Sequence, residues 1–170
     1  FRRVVSLCAH FVATTLSSVY NDVCKDRLYT YAVNHPQRRS TQTAVHAIHG
    51  ILVRVLAPIL TFTADEAWCH ARFKADFAPD GAPTPCVHLA DWPVAAPEWR
   101  DDARASDFAE LLKVRAKANE ALEPMRQAGK LGKSLDAAVT LTVSSADPLA
   151  AVLQRHAEFL PELFIVSQVS

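Results

Sequence analysis

The sequence predicts a mainly α protein, an antiparallel helical bundle followed by a small α/β subdomain. Three observations carry that expectation. Apolar residues recur at spacings of three and four through residues 1–75, the mark of helix faces buried on one another. A second, longer amphipathic run fills residues 101–130. Beyond Gly129 the period drops to two in "AAVTLTV" and "LFIVSQV", which flank a short helical pattern. With 170 residues, 50% of them hydrophobic and 21% charged, the chain can bury one good core, or one core and a small satellite.

The first predicted helix carries Leu7, Phe11, Ser18 and Tyr20 beside a stripe that continues through Val23, Cys24, Leu28 and Tyr31. It should end near Asn34, because Pro36 disfavours helical geometry at His35. Pro36 then suits the first turn of a second helix with the stripe Ala44, Val45, Ile48, Ile51, Leu52 and Val55, which Pro58 closes. "TADE" reads as a capping box, Thr63 with Glu66, starting a third helix that buries Trp68. Residues 76–100 are Pro-rich and read as a connecting loop, with Val87 to Trp92 pinned to the bundle by the aromatic. The fourth helix, Asp102 to Ala128, uses Phe108, Leu111, Leu112, Arg115, Leu122 and Met125, bends at Pro124 and stops at Gly129. In the α/β subdomain, residues 131–170, Asp147 and Pro148 cap a helix between the two strand patterns.

Composition excludes several classes. The longest apolar stretch, "ILVRVLAPIL", is interrupted by Arg54 and Pro58 and is too short to span a bilayer, and no signal-peptide pattern opens the chain. Cys8, Cys24, Cys69 and Cys86 form no C-x-x-C pair, which points to reduced thiols in a cytoplasmic protein rather than disulfides or a zinc knuckle. Starting at Phe1, inside a helical pattern, the sequence is expected to be part of a longer polypeptide.

Candidate chemistry is sparse. "KLGKS" lacks the glycine a phosphate loop needs, since Gln127 stands there, and reads as a helix stop leading into a strand. His46 and His49 share a helix turn, but no neighbouring ligand completes a metal set. Asp65 and Glu66 are accounted for by capping, and no nucleophile, base and orienter fall together. The residues therefore predict no catalytic site, no cofactor site and no metal site in this chain.

What remains is basic. Overall charge cancels, 18 Lys and Arg against 18 Asp and Glu, yet "KDRLYTYAVNHPQRRSTQT" carries two basic bursts. Arg38, Arg39, Ser40 and Thr41 fall in the first turn of the second helix, where free amides and the dipole favour an anion. A competing reading pairs the arginines with Asp22 or Asp26. Lys25 points to solvent, whereas Arg27 lies at the stripe's margin and suits an internal ion pair. A second basic row, Lys113, Arg115 and Lys117 with Asn119, lies on the fourth helix.

In order and spacing, "LSSVYNDVCKDRLYT", "RRSTQTAVHAI", "LVRVLAPILTFTADEAW", "VHLADWP" and "LLKVRAKANEALEPMRQAGKLGKSLDAAVTL" resemble the anticodon-binding region of bacterial-type isoleucyl-tRNA synthetases, over Phe1 to Ser170. Valyl- and leucyl-tRNA synthetases share a looser form of "RLY" and "LAPILTFTADEAW" and stay as alternatives, as does a structural or adaptor bundle that touches RNA weakly. The resemblance implies a module that docks the anticodon stem-loop of tRNA(Ile). The catalytic domain, with its ATP and Mg2+, and the cysteine-rich zinc segment often found at the family's C-terminus would lie elsewhere in the same polypeptide, and neither DNA nor a membrane is an expected partner. Lys25, Arg38, Arg39, Ser40, Lys113, Lys117 and Asn119 are the residues expected at the tRNA, chosen by helix geometry.

Overall fold

A computed structural model of the chain describes residues 1–71 and 84–170. The part of the Pro-rich loop at 76–83 lies outside them. The architecture is the expected one, mainly helical with a small parallel β pair near the C-terminal end. It divides into two units, one made of Phe1–Lys25 with Arg100–Ser170, the other of Asp26–Trp99.

The long first helix is broken into pieces. An α-helix, α1 (Arg2–His10), passes into a π-helical stretch, Phe11–Asn21, and then into α2 (Lys25–Tyr29). Hydroxyl side chains compete for backbone acceptors along the wide stretch, Thr14 donating to the His10 carbonyl at 2.7 Å and Ser18 to that of Ala13 at 2.6 Å. α2 ends at Tyr29, not Asn34. Thr30 Oγ1 donates to the Asp26 carbonyl at 2.6 Å, and the Tyr31 carbonyl accepts 2.7 Å from Arg38 Nη1 instead of from a helical amide.

In the Asp26–Trp99 unit, α3 (Pro36–Leu56) starts at its proline behind an extended His35 with ψ 132°, and ends at Ala57 before Pro58. The stripe proposed for α3 is half-buried, while Thr41, Gly50 and Val53 reach deeper. Third in order is α4 (Thr61–His70). It begins two residues before Thr63 and has no side-chain cap, so the expected capping box does not form. Asp65 instead accepts the Val87 amide at 2.9 Å. That bond, followed by one with Cys86, holds the Asp65 carboxyl below the usual carboxylate range. Trp68 is fully buried and donates its indole N–H to the Thr84 carbonyl at 3.1 Å. The loop is therefore pinned by Val87 and by the two bonds to α4, whereas Trp92 is 62% exposed. Local sequence could not distinguish these, because the partners lie 16 and 22 residues apart.

In the other unit, α5 (Asp102–Gln127) opens on Asp101, whose carboxylate accepts the Arg104 amide at 2.9 Å, and includes Pro124. Gly129 takes the left-handed conformation, φ 68°, just past the helix end. Leu111, Ala118 and Leu122 form the buried face, while Leu112 and Met125 of the expected stripe are exposed. β1 (Ala138–Val139) pairs in parallel with β2 (Gln168–Val169), Ala138 opposite Gln168. Between them run α6 (Pro148–Arg155), capped by Asp147, and α7 (Leu160–Phe164). Both strands are shorter than predicted. In "LFIVSQV", Leu163 and Phe164 end α7 as fully buried core residues, and only the last part of the segment is extended. Strand periodicity had hidden a helix end, because a short apolar run suits either.

α6 is tied to α5 through Asp107, which pairs with Arg155 and lies 3.0 Å from His156 Nε2. The ring of Phe108 meets the His156 imidazole edge-on at 5.8 Å. Hydrogen bonds from Arg155 and then His156 hold the Asp107 carboxyl below its ordinary range. Stability from this depressed carboxyl is complete above the unfolded value of about 3.9 and is lost as pH falls through the folded value. Asp107→Asn should lower the melting temperature at neutral pH and flatten its fall below about pH 4. Thermal melts across that range check this, and parallel acid limbs for parent and variant would show that Asp107 carries no such linkage.

Candidate nucleic-acid interface

The seven residues expected at RNA fall in both units. Arg38 and Arg39 close the first turn of α3 and Ser40 follows, while Thr41, expected beside them, is buried. Pro36 has no N–H and the Arg39 amide donates to the His35 carbonyl at 3.0 Å, which leaves the amides of Gln37 and Arg38 free. Arg39 and Ser40 are exposed. Arg38 is half-buried and braces the preceding turn through the Tyr31 carbonyl, with its Nε buried and without a hydrogen-bond partner. The Tyr31 ring packs against His35 with centroids 4.4 Å apart. Tyr29, at the end of α2 in the same unit, is 82% exposed, an aromatic face of the kind unstacked bases use. Sequence reasoning passed over it, although its position one residue after Leu28 already turns it away from the stripe.

The remaining four lie in the unit built around α5. Lys25 is largely exposed and pairs with Asp22 at 2.6 Å. Lys113 pairs with Glu110 at 2.7 Å, also in solvent, and Lys117 is exposed one turn further on. Surface pairs of this kind are weak, so either lysine can exchange its carboxylate for a phosphate. Asn119 faces elsewhere. Residues two apart on a helix stand about 200° apart, so the single basic row read from the sequence splits into Lys113 with Lys117 and Arg115 with Asn119.

Arg115 and Asn119 line a cleft of about 390 Å³ with Asp22, Glu123, Arg126 and Ile165. The Arg115 side chain is 12% exposed, one outer nitrogen lies 3.5 Å from Asp22, and its Nε is buried without a partner. Arg126 is committed to Glu123 at 3.3 Å and to Ser134 Oγ at 2.5 Å. Spacing of four, eight and eleven from Arg115 to Asn119, Glu123 and Arg126 could have marked this face in the sequence; the contributions of Asp22 and Ile165 could not.

Among the described residues no group of three His, Cys, Asp or Glu side chains is placed to hold a metal ion, and Cys8, Cys24, Cys69 and Cys86 form no disulfide. Burial, and then the charge of His46, hold His49 below the ordinary imidazole range. No helix among the described residues is long and apolar enough to cross a membrane.

Helical units that carry exposed basic residues, at the start of α3 in one and along α5 in the other, suit contact with a nucleic acid. Residues 1–141 match the family described as the anticodon-binding domain of tRNA ligase, and the chain belongs to that family. Its similarity to individual proteins is equally consistent. The isoleucine–tRNA ligase of Thermotoga petrophila is 41% identical over 170 residues, covering 100% of this chain and 18% of the relative. Those of Geobacter sulfurreducens and Symbiobacterium thermophilum are 38% and 39% identical, each over 94% of this chain and 16% of the relative. The chain thus spans less than a fifth of the length of these relatives. The family resemblance read from "RRSTQTA" and its neighbouring segments is borne out.

Proposed function

We propose that this chain docks the anticodon stem and loop of tRNA(Ile) for an isoleucine–tRNA ligase acting in the cytoplasm. Isoleucine activation with ATP and Mg2+, and the charging of tRNA, fall to a catalytic domain elsewhere in the same polypeptide, together with any zinc site. The carrying observation is that relatives named for isoleucine match the chain from end to end. Arg39 and Ser40, with Arg38 behind them, serve stem phosphates at the start of α3, and Lys25, Lys113 and Lys117 supply exchangeable charge on the other unit. Zero net charge is no obstacle, since the local field of a patch sets the attraction.

A gel-shift titration with tRNA(Ile) beside a non-cognate tRNA tests the reading, and equal affinity for the two would remove it. Arg39→Glu probes the phosphate contact better than any change at Arg38, because Arg38 also holds the turn. Its expected effect is weaker binding and a plot of log affinity against log salt flatter by roughly 0.7 to 0.9, one phosphate's worth. An unchanged slope, with circular dichroism showing a folded variant, would return Arg39 to a solvated helix start.

A further inference from the structure

We propose that the cleft beside α5 is a reading pocket for one unstacked adenine of the RNA loop. The inference rests on the RNA-docking function proposed above and assigns Asn119 a role distinct from that of the lysines on the same helix.

The cleft, about 390 Å³, lies wholly within one unit. Its charges argue against phosphate. Three carboxylates, Asp22, Glu120 and Glu123, face two guanidiniums, Arg115 and Arg126, so an anion would meet surplus negative charge. A neutral ring with both donors and acceptors meets complementary groups on every side. One of those groups is uncommitted. Among the described residues nothing hydrogen-bonds the Asn119 amide, which lines the cleft beside the Arg115 guanidinium. Arg115 Nε also lacks a partner, but it is closed off from solvent and out of a ligand's reach. Asp22 and the Glu123–Arg126–Ser134 chain hold the surrounding walls in place.

An Asn amide matches adenine along one edge. Its NH2 donates to N7 while its oxygen accepts from the N6 amino group. Guanine puts a carbonyl oxygen where adenine has that amino group, leaving two acceptors facing each other. In a single-stranded loop this edge is free, and the Arg115 guanidinium beside it can donate to the ring or lie against its face. Ile165 adds an independent mark. It is the one non-glycine residue with positive φ among the described residues, φ 56°, and it lines the same cleft. A β-branched residue in the left-handed region is strained, and such strain collects at ligand sites.

The test uses the 170-residue chain, an isoleucine-type anticodon stem-loop RNA, and copies of that RNA made abasic at each loop position in turn. Binding is read by fluorescence anisotropy. Asn119→Ala is expected to bind the intact loop about tenfold more weakly than the parent, yet equally well when one particular loop position is abasic. At that position the parent should prefer adenine to guanine and the variant should not. The salt slope should be unchanged, because no phosphate contact is lost. Asn119→Leu, close in size but with nothing to donate or accept, should behave as Asn119→Ala does and serves if the alanine variant fails to fold. Equal losses for every abasic loop, a retained adenine preference or a flatter salt slope would overturn the pocket. A parent that binds the stem-loop while the Asn119 variants bind it equally well sinks the pocket and leaves the docking function standing. A parent that cannot tell the isoleucine stem-loop from another removes both.

Discussion

Trp68→Ala is expected to cost about 3 to 5 kcal/mol, the range for emptying an aromatic site in a packed core. Trp68 is 0% exposed and packs with Val53, Ala57, Ala64 and Val87. Small residues on two sides leave little that can collapse into the space. The change also strands the Thr84 carbonyl, whose partner is the Trp68 indole N–H. For a chain of this length the melting midpoint should fall by on the order of 10 °C. Trp68→Phe separates the contributions, since it keeps most of the volume and loses the hydrogen bond. A midpoint within a degree or two of the parent would show that this unit's core is not organised around Trp68.

Leu111→Ala should cost about 2 to 5 kcal/mol in the other unit. Leu111 is 0% exposed in a core with Leu163, Phe164 and Leu122. Its neighbour Leu112 is a built-in control, 38% exposed, because successive helix residues point about 100° apart. Leu112→Ala should change stability by no more than about 0.5 kcal/mol. Urea denaturation of the two variants measures the contrast, and comparable losses would mean that α5 buries a different face.

Features written into a few adjacent residues are legible in the sequence itself. Pro36 at a helix start, Pro58 at a helix end, Gly129 past one and Asp147–Pro148 opening another all act through their own backbone restrictions. Features that depend on a distant partner are not. "TADE" satisfies the local pattern of a capping box, but α4 starts at Thr61 and leaves Thr63 inside the helix, while Asp65 is used by the Val87 amide; Trp92 carries an anchor's composition without an anchor's place. Of the candidate interface, Lys113 and Lys117 are arranged as helix geometry alone requires. The cleft draws Asp22 and Ile165 from opposite ends of the sequence, and no spacing rule connects them.

The bonds from α4 to Thr84 and Val87 fix where the chain must return after Ala71. Only two residues separate those anchors, so the clasp works as a single short staple. An insertion between Thr84 and Val87 would part them, stranding the Trp68 indole N–H and the Asp65 carboxylate, the two α4 groups that close it.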